Sequence, residues 1–334
     1  MRNASMFVAT LFVVAFLFGG AGYCAEKSVE LRMNVTTSES SVWMVGANEF
    51  KRLVEEKTGG RYTISIFPNE QLSGGDLLKG VEMLFTGVTD VDIHSVINMT
   101  GFEPKLTVVT MPWLFPNGYQ SVDELLFNGE GGKRIRALVE GKGARVLGMG
   151  ENGFRQITNN VRPITSLADM RRLKIRTPPI AMYVDLFKLF GADPTVMSYS
   201  EVFTALQQGA IDGQENPLDT IRSGKLQEVQ KYISIWNYSY DPTVLSVSGK
   251  VWATLSEGDK KIFEEAGVAA MKAQVEASRA KDVEIIKSFE QYMRITRLTP
   301  EQIAEFQKAA TPIYQQYKDK IGADLFEAFG YTFK

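Results

Sequence analysis

Leu31-Arg32-Met33-Asn34-Val35, the stretch Val42 to Glu56, and Tyr62-Thr63-Ile64-Ser65-Ile66 together decide the fold class of this chain. The first run alternates apolar with polar side chains, the period of a half-buried strand. Between Val42 and Glu56 the apolar residues Trp43, Ala47, Phe50, Leu53 and Val54 return at helical spacing, and Gly59-Gly60 ends that helix. Tyr62, Ile64 and Ile66 alternate again. Strand, helix, strand is the rhythm of a parallel α/β unit. It continues through a helix at Leu77 to Phe85 and a strand near Asp90 to Ser95.

Working outward, a second lobe begins near residue 153. Ser166 can cap a short helix, and Leu173-Lys174-Ile175-Arg176 reads as a strand stopped by Pro178-Pro179. Ser198 and Glu201 have capping-box spacing, with Val202, Phe203 and Leu206 following on one face. Ser256 to Met293 contains no proline and carries a broken helical period, which fits two helices parted at Gly267 or one long helix running along both lobes. Thr299-Pro300-Glu301-Gln302 supplies cap, first-turn proline and capping-box glutamine for a terminal helix.

The 334-residue length suits two domains, and 44% hydrophobic with 23% charged residues is an ordinary globular balance. Thirty-seven basic residues stand against 39 acidic ones, a net charge of −2, so the basic excess that nucleic-acid binding requires is missing. At the N-terminus, Arg2 precedes an apolar run from Met6 to Phe18, followed by Gly19, Gly20, Ala21 and Gly22. That run is shorter than the ~20 residues a membrane span needs, so residues 1–25 read as a cleaved secretory signal and the mature chain as periplasmic. Cleavage after Cys24 or after Ala25 both fit, and Tyr23 is a poor match to a lipidation signal at Cys24. Cys24 is the only cysteine and His94 the only histidine, which removes disulfide frameworks, multi-histidine zinc sites and most histidine-dependent triads.

The functional reading rests on residues 153–217: Gly153-Phe154-Arg155-Gln156, Asn160-Val161-Arg162-Pro163, Leu173-Lys174-Ile175-Arg176-Thr177-Pro178, Phe190-Gly191-Ala192-Asp193-Pro194, Tyr199-Ser200-Glu201-Val202-Phe203, Ala205-Leu206-Gln207-Gln208-Gly209 and Gln214-Glu215-Asn216-Pro217. Arg176 ends a strand before a proline turn, where a guanidinium fork can meet a carboxylate in a cleft between lobes. A surface ion pair is the plainer reading of such an arginine taken alone.

In order and spacing these motifs resemble the extracytoplasmic solute-binding proteins of TRAP (tripartite ATP-independent periplasmic) transporters of the dicarboxylate-binding type, from Leu31 to about Tyr331. The resemblance implies an α/β, two-lobed periplasmic binding protein fold with a hinge between lobes and a long helix spanning both. On this reading residues 26–152 with 241–282 form lobe I, and residues 153–240 with 283–334 form lobe II. It implies capture of a small organic acid and delivery to TRAP membrane subunits driven by an ion gradient, by a chain that is usually a monomer. Arg176 then matches the carboxylate clamp, Arg155 a second arginine near the ligand, Asn216 an amide that bonds it and Tyr199 an aromatic packed on it. In the first lobe Asn34, Gly75 and Asp76 match polar positions facing the cleft. Ser95 and Asn98 fall where sialic-acid-binding relatives carry charged groups, which argues against that ligand. His94, Trp43 and Trp113 are further cleft candidates, with a structural role the plainer reading of His94. Neither a cofactor nor a metal site is expected. The alternatives are a ligand sensor presenting its closed form to a receptor kinase, and a secreted hydrolase assembled from Glu201, Asp212 and Glu215, for which no nucleophile elbow or phosphate loop exists.

Overall fold

A computed structural model describes residues 28–333 of the chain. The expected signal segment, with Cys24, lies outside those residues. The opening stretch forms β1 (Val29–Val35), the helix Trp43–Lys57 and β2 (Tyr62–Phe67), with β2 parallel to β1. β3 (Val91–Ser95) lies parallel on the other edge of β1. Alternation sends Val91 and Ile93 into one core with Met33, Phe50 and Phe263, and leaves Asp92 and His94 on the opposite face.

The centre of the molecule is β4 (Ala144–Asn159), sixteen residues long. Its first part pairs antiparallel with β9 (Tyr240–Ser248), and its last part with β7 (Gly213–Pro217) and β8 (Tyr232–Ile235). Beyond β7 come β5 (Lys174–Thr177) and β6 (Asp193–Val196), and β10 (Arg294–Arg297) pairs with β8. The order β2-β1-β3-β9-β4-β7-β5-β6 is therefore two half-sheets joined through one shared strand. Register breaks between Val146 and Gly148, and between Glu151 and Gly153, interrupt the β4–β9 ladder. Such bulges bend and twist a strand locally, and the second falls within the stretch Gly150 to Phe154.

Glu257–Phe289 is one helix of 33 residues, about 50 Å long at 1.5 Å per residue. It packs on the helix Trp43–Lys57, on β4 and on the helix Leu218–Ser223, so it touches both halves. Gly267 does not divide it. A Cβ there would lie 2.4 Å from Leu147 Cβ and 2.9 Å from the Leu147 backbone. The glycine serves close approach to β4. Capping boxes occur at Ser166/Asp169, Ser198/Glu201 and Thr299/Gln302. The helix Pro300–Ile321 packs Phe306 edge-on against Phe190 and Trp236, and its Tyr314 hydroxyl donates to the Pro112 carbonyl at 2.7 Å.

Candidate functional site

Arg176 sits on β5, one strand in from the edge of its half-sheet, where the chain turns at Pro178. It is 1% exposed. Nε and Nη2 both donate to the Met197 carbonyl, at 3.1 and 2.8 Å. That fixes the plane of the guanidinium and leaves Nη1 free of protein acceptors among the described residues. No carboxylate lies within ion-pair distance of it in the same set. Burial disfavours its charge and pushes its pKa down to about 10, although Glu215 nearby pulls the other way.

Arg155, on β4, has the opposite surroundings. Its Nε and Nη2 meet the two Glu215 carboxylate oxygens at 2.5 and 2.8 Å, and Nη1 meets Asp241 Oδ2 at 2.6 Å. Nη2 also donates to Asn216 Oδ1 at 3.1 Å, and the guanidinium lies over the Tyr183 ring. Burial works against this charge as well, but the two carboxylates outweigh it and hold the group well above its ordinary pKa. One buried arginine is fully paired. The other is not.

Arg176, Arg155, Asn216, Tyr199, Ser95 and Asn98 line a single recess between the half-sheets. Asn216 is oriented by donating Nδ2 to Gln214 Oε1 at 2.6 Å. Tyr199 follows the Ser198 cap and donates its hydroxyl to the Thr220 carbonyl at 2.7 Å, which holds the side chain at the recess. Ser95 donates to Asp241 Oδ1. Asn98 Oδ1 and Thr37 Oγ1 are buried in the same wall without a hydrogen-bond partner among the described residues. Trp43 lines the recess and donates Nε1 to Asn152 Oδ1 at 3.2 Å.

The remaining candidates lie elsewhere. Gly75 borders an adjoining recess, and its carbonyl accepts from Ser200 Oγ at 3.0 Å across the cleft mouth. Asp76 caps the helix Leu77–Phe85 by accepting from the Leu78 and Lys79 amides, both at 3.0 Å. Asn34 donates to Glu70 Oε2, and His94 Nε2 lies 2.8 Å from Glu70 Oε1 behind the strand. Burial opposes the His94 charge, but Asp92 and Glu70 outweigh it and push its pKa up to about 9. Trp113 packs edge-on against Trp236 and Tyr238.

Sequence reasoning missed Thr37, Asn152, Thr220 and Asp241, all of which line the recess. Asn152 is the junction: it accepts from Trp43 and from Thr220 Oγ1 (2.6 Å), and donates to Asp241 Oδ2 at 2.8 Å. A polar residue facing a glycine bulge in a strand that joins two half-sheets was the available signal. Asp241 stands opposite Gly153 in that bulge.

Two half-sheets sharing a strand, a helix along both, and a recess between them holding an unpaired buried cation define a two-lobed solute-binding protein. Sequence comparison agrees. The description of bacterial extracellular solute-binding proteins, family 7, matches residues 33–320, and the chain belongs to that family, whose members here are transport proteins and not enzymes. A solute-binding protein of Verminephrobacter eiseniae is 30% identical over 306 residues, covering 91% of this chain and 89% of that one. A TRAP periplasmic solute-binding protein of Ralstonia eutropha H16, solved with (S)-2-acetolactate, superposes with a TM-score of 0.87 at 32% identity, covering 90% of this chain and 98% of that one. One from Polaromonas sp. JS666, bound to D-erythronate, gives 0.86 at 34% identity over 92% of this chain and all of that one.

Proposed function

We propose that the chain captures a small organic acid in the recess between its lobes, outside the cytoplasm, and hands it to the membrane subunits of a TRAP transporter. The observation that carries this reading is the contrast between the two buried arginines. A buried cation without an anion is costly, and Arg176 is held by one carbonyl in the orientation that presents Nη1 to the recess. A ligand carboxylate supplies the missing charge through two parallel hydrogen bonds. Arg155, already paired, positions Asn216 and ties it to Glu215 and Asp241. The acids bound by the Ralstonia and Polaromonas proteins are consistent with this. The lobes we assign are residues 26–152 with 241–282 and residues 153–240 with 283–334, hinged at the β4–β9 bulges. The mature chain starts after the N-terminal signal and works as a monomer.

Thermal unfolding of the mature protein against a panel of small organic acids and neutral sugars tests the reading. An acid at 100 times its Kd adds about 2.7 kcal/mol to stability, a shift of several degrees for a protein of this size. Stabilisation by acids, absent with neutral sugars, is expected to vanish in Arg176→Ala. It is also expected to fall sharply in Arg176→Lys, because a point charge does not replace the fork. Acid binding that survives Arg176→Ala overturns the clamp.

A further inference from the structure

The two adjoining recesses share Thr36, Leu77 and Tyr199. Their charged lining is sparse and one-sided. Among the described residues the only cations in either are Arg155 and Arg176, and the acids are Asp241 in the first and Glu70 in the second. Arg155 is taken by Glu215 and Asp241. Glu70 is taken by His94, Thr36 and Ser73. One cation therefore remains for a ligand, and a second carboxylate in the same space would meet acids or neutral groups only.

The lining around Arg176 carries uncharged polar groups beside the apolar side chains of Trp43, Leu77 and Ile97. Asn98 Oδ1 and Thr37 Oγ1 are buried there with no protein partner. A buried polar atom without a partner costs free energy until something bonds it. The amide of Asn98 offers either an acceptor or, turned over, a donor, and the Thr37 hydroxyl offers both. These groups match hydroxyl or keto oxygens. They do not match a methylene chain.

Resting on the clamp reading above, we propose that the solute is a monocarboxylate carrying hydroxyl or keto oxygens, an aldonate-like acid, and that this site rejects dicarboxylates. Charge bookkeeping at the recess supports this. Glu215 and Asp241 both pair with Arg155, so Arg176 has no direct partner although the four groups sum to neutral before any ligand enters. A monoanion adds one negative charge opposite Arg176, while a dianion adds a second with no cation in reach. A charge buried without a partner is the arrangement proteins avoid most strongly.

The test uses matched pairs in which a terminal CH₂OH is replaced by a carboxylate: D-erythronate with meso-tartrate, D-gluconate with D-glucarate, and D-galactonate with galactarate. Butyrate serves as the unhydroxylated control. Calorimetric titration of the mature protein is expected to give at least tenfold tighter binding of an aldonate than of its dicarboxylate partner, and at least tenfold weaker binding of butyrate. Asn98→Leu is expected to weaken the aldonate about tenfold or more without weakening butyrate by as much, and Arg176→Ala to abolish both. A dicarboxylate that binds as tightly as its partner, yet still requires Arg176, overturns the monocarboxylate assignment and leaves the clamp standing. So does a panel in which no hydroxylated monoacid binds while a dicarboxylate or butyrate does. Binding indifferent to Arg176 overturns the clamp itself.

Discussion

At the scale of single residues, the two buried arginines make opposite demands on the fold. Removing Arg155 leaves Glu215 and Asp241 facing each other without their cation, and breaking a buried pair in that way costs about 3–5 kcal/mol. Removing Arg176 strands only the Met197 carbonyl, about 1–3 kcal/mol, and at the same time relieves a buried charge that has no anion. The two terms offset each other. Arg155→Met is therefore expected to destabilise the unliganded protein by about 3–5 kcal/mol in urea unfolding. Arg176→Met should stay within about 1 kcal/mol of wild type while losing acid binding. Equal destabilisation by both variants would mean that Arg176 is structural. The sequence motifs ranked Arg176 as the clamp and Arg155 as a second arginine near the ligand, but the full pairing of Arg155 was not legible there. Its partner Asp241 lies in a distant segment and reaches Arg155 only through the β4–β9 pairing. Asn34 and His94 illustrate the same limit. Strand alternation places a side chain on one face or the other, but which face meets the recess depends on the neighbouring layer, and here Glu70 occupies the face that Asn34 and His94 share.

At the scale of elements, local chemistry was a dependable guide wherever a cap or a period fixed it. The boxes at Ser198/Glu201 and Thr299/Gln302 start helices at Tyr199 and Pro300, because the side chains that satisfy the first amides are local to the helix. The long helix was ambiguous for a physical reason. Gly267 breaks the apolar period, and glycine in a helix interior lowers helix propensity by about 1 kcal/mol relative to alanine. The compensation is tertiary: Gly267 lets the helix backbone touch β4 at Leu147 and Gly148, and a Cβ on Gly148 would in turn lie 2.5 Å from the Gly267 carbonyl. Propensity and packing thus predict opposite signs for Gly267→Ala. Because the clash is with backbone and with Leu147 Cβ, overpacking dominates, and the variant is expected to lose about 1–3 kcal/mol of stability with unchanged or greater intrinsic helicity. A stabilised variant, measured by urea unfolding, would show that the helix stands farther from β4 than the structure places it.

At the scale of the whole molecule, the question is what holds the lobes together once a solute is inside. The contacts across the mouth are few and polar. Asp219 Oδ2 accepts from Ser41 Oγ at 2.6 Å and from the Val42 amide at 3.0 Å, at the start of the helix Trp43–Lys57. Arg222 Nη2 reaches the Ser40 carbonyl at 2.7 Å, and Ser38 Oγ reaches the Ser223 carbonyl at 3.0 Å. An acid at a helix N-terminus gains from the exposed amides and the helix dipole, so Asp219 is a latch whose partner is a rigid element. Closure has to stay reversible for the solute to be released, and a small set of hydrogen bonds suits that better than a large apolar interface would. A ligand favours the closed form only through contacts that the open form lacks. Asp219→Ala removes such contacts without touching the recess. With charge-assisted hydrogen bonds worth about 1.5–3 kcal/mol, it is expected to weaken acid binding about ten- to hundredfold. Most of that loss should appear as faster dissociation, since the encounter with the open form is unchanged. Unliganded stability should move by less than about 1 kcal/mol, because lobes that part without a ligand would expose Asp219 to water with Arg222 three residues away still beside it. Stopped-flow release of a bound acid separates the outcomes. Faster release with unchanged association makes the Ser41–Asp219 contact part of the liganded state, whereas unchanged release would place the closing force in the ligand and the recess walls alone.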